Sequence, residues 1–252
     1  MSTSNNMLQI LTLFTIDQPV LDADTICEKL EFSKPTGYRY IKDLVVHGLL
    51  ERLYGGQYTL GPRISVMDYI AQRSNPIIQL SIPLMKDIVE QTEFNCCLTQ
   101  FYEDYCLDIY HESCKETTLL AYGRGRPRPA YAGAAPKVIL ANTATKIQKS
   151  IFQKYNEQFL TSDFAQDEAT FIQKLNEIKK QGYYFSKGEL ESHLGAIAVP
   201  IIYSNRAFPI SLSIVGSVKR FNLINVETIV NILSQSAKFI ESEFKKIDSD
   251  HL

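Results

Sequence analysis

The stretch Ser33 to Tyr58, SKPTGYRYIKDLVVHGLLERLYGGQY, concentrates side chains able to grip a polyanion. Lys34 and Arg39 bring positive charge, and Ser33, Thr36 and Tyr40 bring hydroxyls within one or two helical turns. A guanidinium at position 39 can fork onto a guanine edge or clamp a phosphate. Hydroxyls at Thr36 and Tyr40 can donate to phosphates or bases, and phosphate contacts of this kind fix register without encoding sequence. Arg52 and Gln57 follow on a hairpin, where they are candidates for phosphate or minor-groove contacts. For Lys34 and Arg52 the competing reading is plain solvation.

The elements that must position these residues are legible around them. Ser33 is placed to cap a helix with its hydroxyl, and Pro35 falls in the first turn, where a missing N–H costs nothing. Tyr38, Ile41, Leu44 and Val45 recur at helical spacing and predict one apolar face. Thr36, Arg39 and Asp43 then lie opposite, with Tyr40 at the edge. Gly37, near the buried side, permits close packing on a preceding helix. Gly48 ends the helix. Leu49 to Leu53 alternates, Gly55-Gly56 turns, and Gln57 to Leu60 returns as a two-stranded wing. Upstream, Met7, Ile10, Leu11 and Phe14 predict a first helix, broken at Asp17-Gln18-Pro19. Asp22 is a plausible N-cap for a second helix, Ala23 to Leu30, burying Ile26, Cys27 and Leu30. Helix, short turn and capped second helix make a helix-turn-helix. With the wing it spans about residues 6 to 61, an arrangement suited to a DNA major groove; the plainer alternative is a helix-hairpin piece of an α/β core.

Composition neither demands nor forbids this. With 252 residues, 45% hydrophobic and 21% charged, the chain is an ordinary globular one with room for two modest domains. No run reaches the roughly 20 apolar residues that cross a bilayer. MSTSNNMLQ lacks a basic n-region and cleavage site, and five cysteines in no framework pattern predict no disulfides. A cytoplasmic protein with no membrane association is expected. The net charge of −2 argues against strong non-specific nucleic-acid binding. Its distribution is more telling, because Lys34, Arg39, Lys42 and Arg52 follow an acidic segment holding Asp17, Asp22, Asp24, Glu28 and Glu31. A local positive patch of this kind attracts phosphate.

Beyond the wing, Ile64, Met67 and Ile70 predict a linker helix from Arg63 to Arg73, interrupted at Asn75-Pro76. The domains expected are therefore 1–62, a DNA-binding unit; 63–75, a linker; and 76–252, a second domain. In the latter, helices are expected over Ile77 to Thr92, Ala134 to Asn142, Ile147 to Tyr155, Asp167 to Gln181 and Val226 to Ile247. Strands are expected over Asn95 to Phe101, Tyr105 to His111, Thr117 to Tyr122, Tyr183 to Ser186, Gly195 to Tyr203 and Phe208 to Val215. The last two are separated by a turn at Ser204-Asn205-Arg206, and the whole reads as a mostly antiparallel sheet. GRGRPRPAY, Gly123 to Tyr131, reads as an irregular basic loop.

Several separated segments, in order and spacing, resemble the IclR-type transcriptional regulators: SKPTGYRYIKDLVVHGLLER with YTLGPR, PAYAGAAPKVILA, QGYYFSKGELESHLGAIAVPI and ISLSIVGSVKRF, across residues 7 to 247. The resemblance implies an α+β architecture. An N-terminal winged helix-turn-helix would bind double-stranded operator DNA, usually as a homodimer that in some members pairs into a tetramer. A C-terminal GAF-like domain, an antiparallel sheet flanked by helices, would bind a small-molecule effector. It further implies an effector site at Gly133 and Ala134, whose N–H groups at a helix start can hold a carboxylate, completed by Ser186, Ala196, Ser213 and Val215. The family often has an acidic residue, a cysteine and a second serine where Ser186, Ala196 and Val215 stand. A roomier, more apolar pocket is therefore expected, suited to an aromatic or longer acid. Arg124, Arg126 and Arg128 border the same loop, and Arg126 is the candidate to neutralise an effector anion, against a solvated basic loop. Glu189 and His193 lie in a loop expected to face the pocket.

No cofactor and no metal site is expected: Cys96, Cys97, Cys106, His111 and Cys114 lack zinc-ligand pairing. Two other functions compete. One is a sensor acting through a protein partner without DNA. The other is an enzyme on a GAF-like pocket, which the absence of a nucleophile elbow, an HExxH or a Gly-rich phosphate loop disfavours.

Overall fold

The computed structural model describes residues 3–115, 123–162, 164–203 and 208–249. The expected strand at Thr117 to Tyr122 and the turn at Ser204-Asn205-Arg206 lie outside the described residues. The chain divides into two compact units, Met1–Ser74 and Asn75–Leu252.

In the first unit, α1 (Thr3–Gln9) tightens into a 3-10 turn over Ile10–Leu13. A two-residue strand, β1 (Leu21–Asp22), leads directly into α2 (Ala23–Lys29), whose N-cap is Asp22, accepting from the Thr25 N–H at 2.8 Å. Next come α3 (Lys34–Val46), β2 (Leu50–Arg52), β3 (Gln57–Leu60) and α4 (Pro62–Ser74). The wing is three-stranded, in the order β1-β3-β2, so the segment before α2 braces the hairpin through Leu21 opposite Tyr58. Glycines at 55 and 56 make the wing's turn with φ of 77° and 79°, the left-handed region that favours glycine. Ile10, Leu21, Ile26, Tyr40, Ile41, Leu44 and Leu50 form this unit's core. None of the side chains of α4 is buried within the unit.

The second unit opens with α5 (Pro76–Thr92), capped by Asn75. Then follow β4 (Asn95–Tyr102), β5 (Tyr105–Glu112), β6 (Arg128–Pro129), α6 (Ala134–Ala141), α7 (Thr145–Lys154), α8 (Asn156–Thr161) and α9 (Glu168–Gln181). Finally come β7 (Tyr184–Lys187), β8 (Leu194–Ile201), β9 (Ile210–Ser217), a short α10 (Val218–Phe221) and the long α11 (Val226–Ser249). The strands form a six-stranded antiparallel sheet in the order β6-β5-β4-β9-β8-β7.

Helices cover both faces of this sheet. On one, α5 and α11 pack on Cys96, Leu98, Ile197, Val199, Leu212 and Ile214. On the other, α6, α7 and α9 pack around Phe101, Cys106 and Ala198. The adjacent Cys96 and Cys97 point to opposite faces, as expected for a strand. Both are buried because both faces are covered, and burial pushes both thiols well above their ordinary pKa. No described helix is long and apolar enough to cross a membrane.

Candidate functional site

Two constellations stand out. The first is the exposed side of α3 with the wing. Its buried side is Gly37, Tyr40, Ile41 and Leu44, which corrects the assignment of the two tyrosines. Tyr40 is 5% exposed and packs edge-on against Phe32, whereas Tyr38 is 48% exposed. The cause is Gly37: with α2 pressed on position 37, the buried stripe runs 37, 40, 41, 44, and Tyr38 is turned to solvent. Tyr40 is therefore removed from the DNA candidates, and Tyr38 takes its place on the open face. The Ser33 cap is also corrected, since its hydroxyl donates to Thr36 Oγ1 at 2.9 Å and caps no backbone N–H.

Asp24 on α2 organises the start of α3. It pairs with Lys34 at 3.0 Å and accepts from the Tyr38 hydroxyl at 3.2 Å. Lys34 and Tyr38 each hydrogen-bond to Asp24, and these bonds raise the pKa of both. Arg39, Lys42, Arg52 and Gln57 are exposed, Thr36 is half-buried, and the Arg39 guanidinium lies 5.4 Å from the centre of the Tyr40 ring. At the wing's tip Tyr54 is wholly exposed. Sequence reading placed Lys42 in the positive patch without naming it as a contact, and missed Tyr38 and Tyr54. Tyr38 follows once Gly37 is taken as the centre of the packed face.

The second constellation is built on the sheet face beneath α6. Register places Ser186 of β7 beside Ala196 of β8, and Ala196 beside Val215 of β9. Ser213, two residues along, is flanked by Ala198 and Cys97. Four small or medium side chains on adjacent strands leave a hollow that the start of α6 faces. Gly133, with φ of 92°, and Ala134 complete it, as do Glu189 and Arg128. The hollow measures only about 40 Å³. The roomier pocket expected from the residue substitutions is thus not what this conformation holds.

A carboxylate of the chain itself sits at its rim. Glu189 Oε2 accepts from the Gly133 N–H at 3.0 Å and pairs with the Lys137 ammonium, and its Oε1 accepts from the Tyr184 hydroxyl at 2.8 Å. The Lys137 side chain is 3% exposed and its ammonium lies 4.0 Å from the Phe164 ring centre. Burial lowers the Lys137 pKa, with the Glu189 charge opposing that shift, and burial beside Glu189 raises that of Tyr184. On the far side of the same residues opens a cleft of about 790 Å³, lined by Lys137, Lys174, Lys187, Phe164, Gln158 and Glu189 among others.

Arg126 is corrected: it is exposed on its loop and Arg128 reaches the site instead. Strand pairing sets Arg128 opposite buried Cys106. There its guanidinium pairs with Asp108 and donates to Thr99 Oγ1 at 2.7 Å, while Thr99 donates to Asp108 at 2.6 Å. Burial opposes the Arg128 charge, but Asp108 together with the neighbouring Cys97 and Cys106 thiols raises the pKa. His193 faces solvent. Among the described residues no group of His, Cys, Asp or Glu side chains is arranged to hold a metal ion.

Comparison with known proteins gives these constellations a context. Residues 70–242 match the C-terminal family of bacterial IclR transcriptional regulators. The Pca operon regulatory protein of Acinetobacter baylyi is 26% identical over 217 residues, 84% of this chain and 78% of that protein. The p-hydroxybenzoate hydroxylase transcriptional activator of the same organism is 25% identical over 200 residues, covering 77% and 73%. Among solved structures, an IclR homologue from Microbacterium hydrocarbonoxydans complexed with 4-hydroxybenzoate superposes with a TM-score of 0.77 at 21% identity, covering 97% of this chain and 100% of that one. An IclR regulator from Alicyclobacillus acidocaldarius reaches 0.80 at 20% identity, covering 95% and 97%.

Proposed function

The chain belongs to the IclR family of bacterial transcriptional regulators, DNA-binding proteins under small-molecule control, and from that premise we propose that its effector is an aromatic acid held under α6. The observation that carries this reading is the convergence of Gly133, Ala134, Ser186, Ala196, Ser213 and Val215 on one hollow whose rim already holds a carboxylate. A helix-start N–H and a buried ammonium, both holding a carboxylate here, recognise an acid group. Apolar and small side chains behind it accept a flat ring better than a polar chain. The relatives named for p-hydroxybenzoate hydroxylase and the Pca operon, and the 4-hydroxybenzoate bound by a neighbour of like fold, support the aromatic class.

DNA contact is assigned to Lys34, Thr36, Tyr38, Arg39 and Lys42 on α3, with Ser33 at its start, and to Arg52, Gln57 and Tyr54 on the wing. Exposed Val66, Met67, Tyr69 and Ile70 on α4 support a contact between two copies of the chain, which would present two recognition helices to a two-fold operator. Effector and operator are then linked through the difference in effector affinity between two arrangements of the dimer.

A gel-shift titration on DNA flanking the protein's own gene, with and without benzoate and hydroxybenzoates, tests this. One aromatic acid should strengthen or release the band, aliphatic acids of equal charge should not, and R39A should abolish the band while leaving acid binding intact. A band indifferent to every acid rejects the effector assignment. Loss of both activities in R39A rejects the division of labour between the units.

A further inference from the structure

We propose that Glu189 is a tethered stand-in for the effector's carboxylate, occupying the anion position made by the Gly133 N–H, Lys137 and Tyr184 until an acid displaces it. The inference rests on the effector reading above and adds to it the identity of the competitor.

Three observations carry it. First, the contacts of Glu189 are those a bound acid would make: one oxygen on a backbone N–H at a helix start and on a buried ammonium, the other on a phenol hydroxyl. Secondly, Glu189 borders both spaces, the inner hollow of about 40 Å³ and the outer cleft of about 790 Å³. The inner volume falls far short of the roughly 150 Å³ of a cavity that holds benzene, so no ring enters it while Glu189 stays. The outer cleft is of ligand size. Its Lys174 and Lys187 stand with Lys137 against Glu177 and Glu189, a lining with one cation in excess. Thirdly, the inner wall carries Arg128, only 9% exposed, whose Nε–H has no hydrogen-bond partner among the described residues. A buried donor left without a partner calls for an explanation, and an acid bound in the hollow would supply one.

The loop that holds Glu189 can release it. Gly188 precedes it with φ of 68°, and the loop closes on itself by the Gly188 N–H to Leu194 carbonyl bond at 2.8 Å, so Glu189 can swing without unpairing β7 from β8. Displacement exchanges one carboxylate for another on Lys137, so the buried ammonium is never left without a counter-charge.

The test uses the full chain and two variants. E189A removes the stand-in and leaves a carboxylate-sized gap at Lys137. Sodium acetate should then raise the melting temperature of E189A at concentrations where sodium chloride does not, and should leave the wild type unmoved. E189Q keeps the shape but not the charge, and should bind benzoate in calorimetry roughly tenfold more tightly than wild type, the factor expected if the site is open about one-tenth of the time. Acetate that shifts E189A no more than chloride overturns the proposal, as does E189Q that binds benzoate no better than a wild type shown to bind it. The acetate arm does not depend on which effector is correct. Acetate rescue with no response of the operator band to aromatic acids would therefore sustain the stand-in and reject the effector class.

Discussion

Replacing Gly37 by alanine should weaken the winged helix, and replacing Cys27 at the same time should restore it. A Cβ built at position 37 meets Cys27 Sγ at 2.3 Å, a separation that cannot persist, while the Cys27 and Phe32 Cβ atoms stand at an ordinary 3.6 Å. Gly37 has a helical backbone, so alanine there gains about 0.5–1 kcal/mol of helix propensity. Against this stands overpacking between α2 and α3, which costs about 1–3 kcal/mol. Cys27 is 4% exposed, so its sulfur must give way within the packed core and not into solvent. The net expectation for G37A is a loss of about 1–2 kcal/mol. C27A alone removes one methyl-sized group from the core and should cost about 1 kcal/mol. In the double variant the new methyl fills the vacated sulfur position and keeps its propensity gain, so stability returns close to wild type. The coupling between the sites is then about 2 kcal/mol, within the range of contacting pairs. Hydrogen exchange of α2 and α3 amides in the full chain reads this locally, which matters because the chain holds two compact units. Operator binding should fall in G37A and recover in the double variant, since α2 sets the seat of the recognition helix. Undiminished protection in G37A, or strictly additive changes in the double variant, would refute the packing argument.

Two further predictions follow from charges. Asp108→Ala strands the Arg128 guanidinium, which is 9% exposed; a loss of about 3–5 kcal/mol is expected, read from urea unfolding, and replacing both residues by apolar ones should cost far less. A single-variant loss below about 1 kcal/mol would show the pair to be hydrated. The caps Asp22 and Asp167 are held below the usual carboxylate value by the Thr25 and Thr170 N–H groups. Their stabilisation is complete above the unfolded value near pH 4 and disappears as pH falls through the lowered folded values. D22N with D167N should therefore flatten the acid side of a melting-temperature profile and leave the neutral plateau in place, because asparagine also caps; an acid limb identical to wild type would contradict this.

The elements with a strong period and a cap were legible: α3, the wing hairpin, α5, α9 and α11 fall within a few residues of their expected bounds. What escaped was set by partners distant in sequence. β1 is two residues long and exists because β3 pairs with it. α8 and α10 are short helices whose single buried residues, Phe159 and Phe221, carry no periodic signal. The exchange of Tyr38 and Tyr40 has the same origin. Both are amphipathic rings at helical spacing, and only the contact of Gly37 with α2 decides which one faces the core.

The arginine of the pocket shows how little separates a legible site from an illegible one. Arg126 and Arg128 occupy equivalent places in an alternating Arg-Pro run, and both are two residues from a neighbour of the same kind. A two-residue pairing with β5, Tyr105 to Pro129 and Cys106 to Arg128, decides between them. It turns position 128 toward Thr99 and Asp108 and leaves position 126 in solvent. Buried arginine is tolerable only with a carboxylate beside it, so the informative sequence signal was Asp108, an acidic residue at an inward position of the strand YCLDIYHE. The same rule applied to Lys137, the one charged residue in the apolar helix AAPKVILA, demands a carboxylate nearby. Glu189 supplies it, 52 positions further along the chain. Each of these two buried cations therefore announces its partner by charge type, and only the partner's release can free the cation for a ligand. Arg128 is tied within the sheet, whereas the partner of Lys137 sits on a loop, and this difference makes Lys137 the one of the two that can exchange its carboxylate.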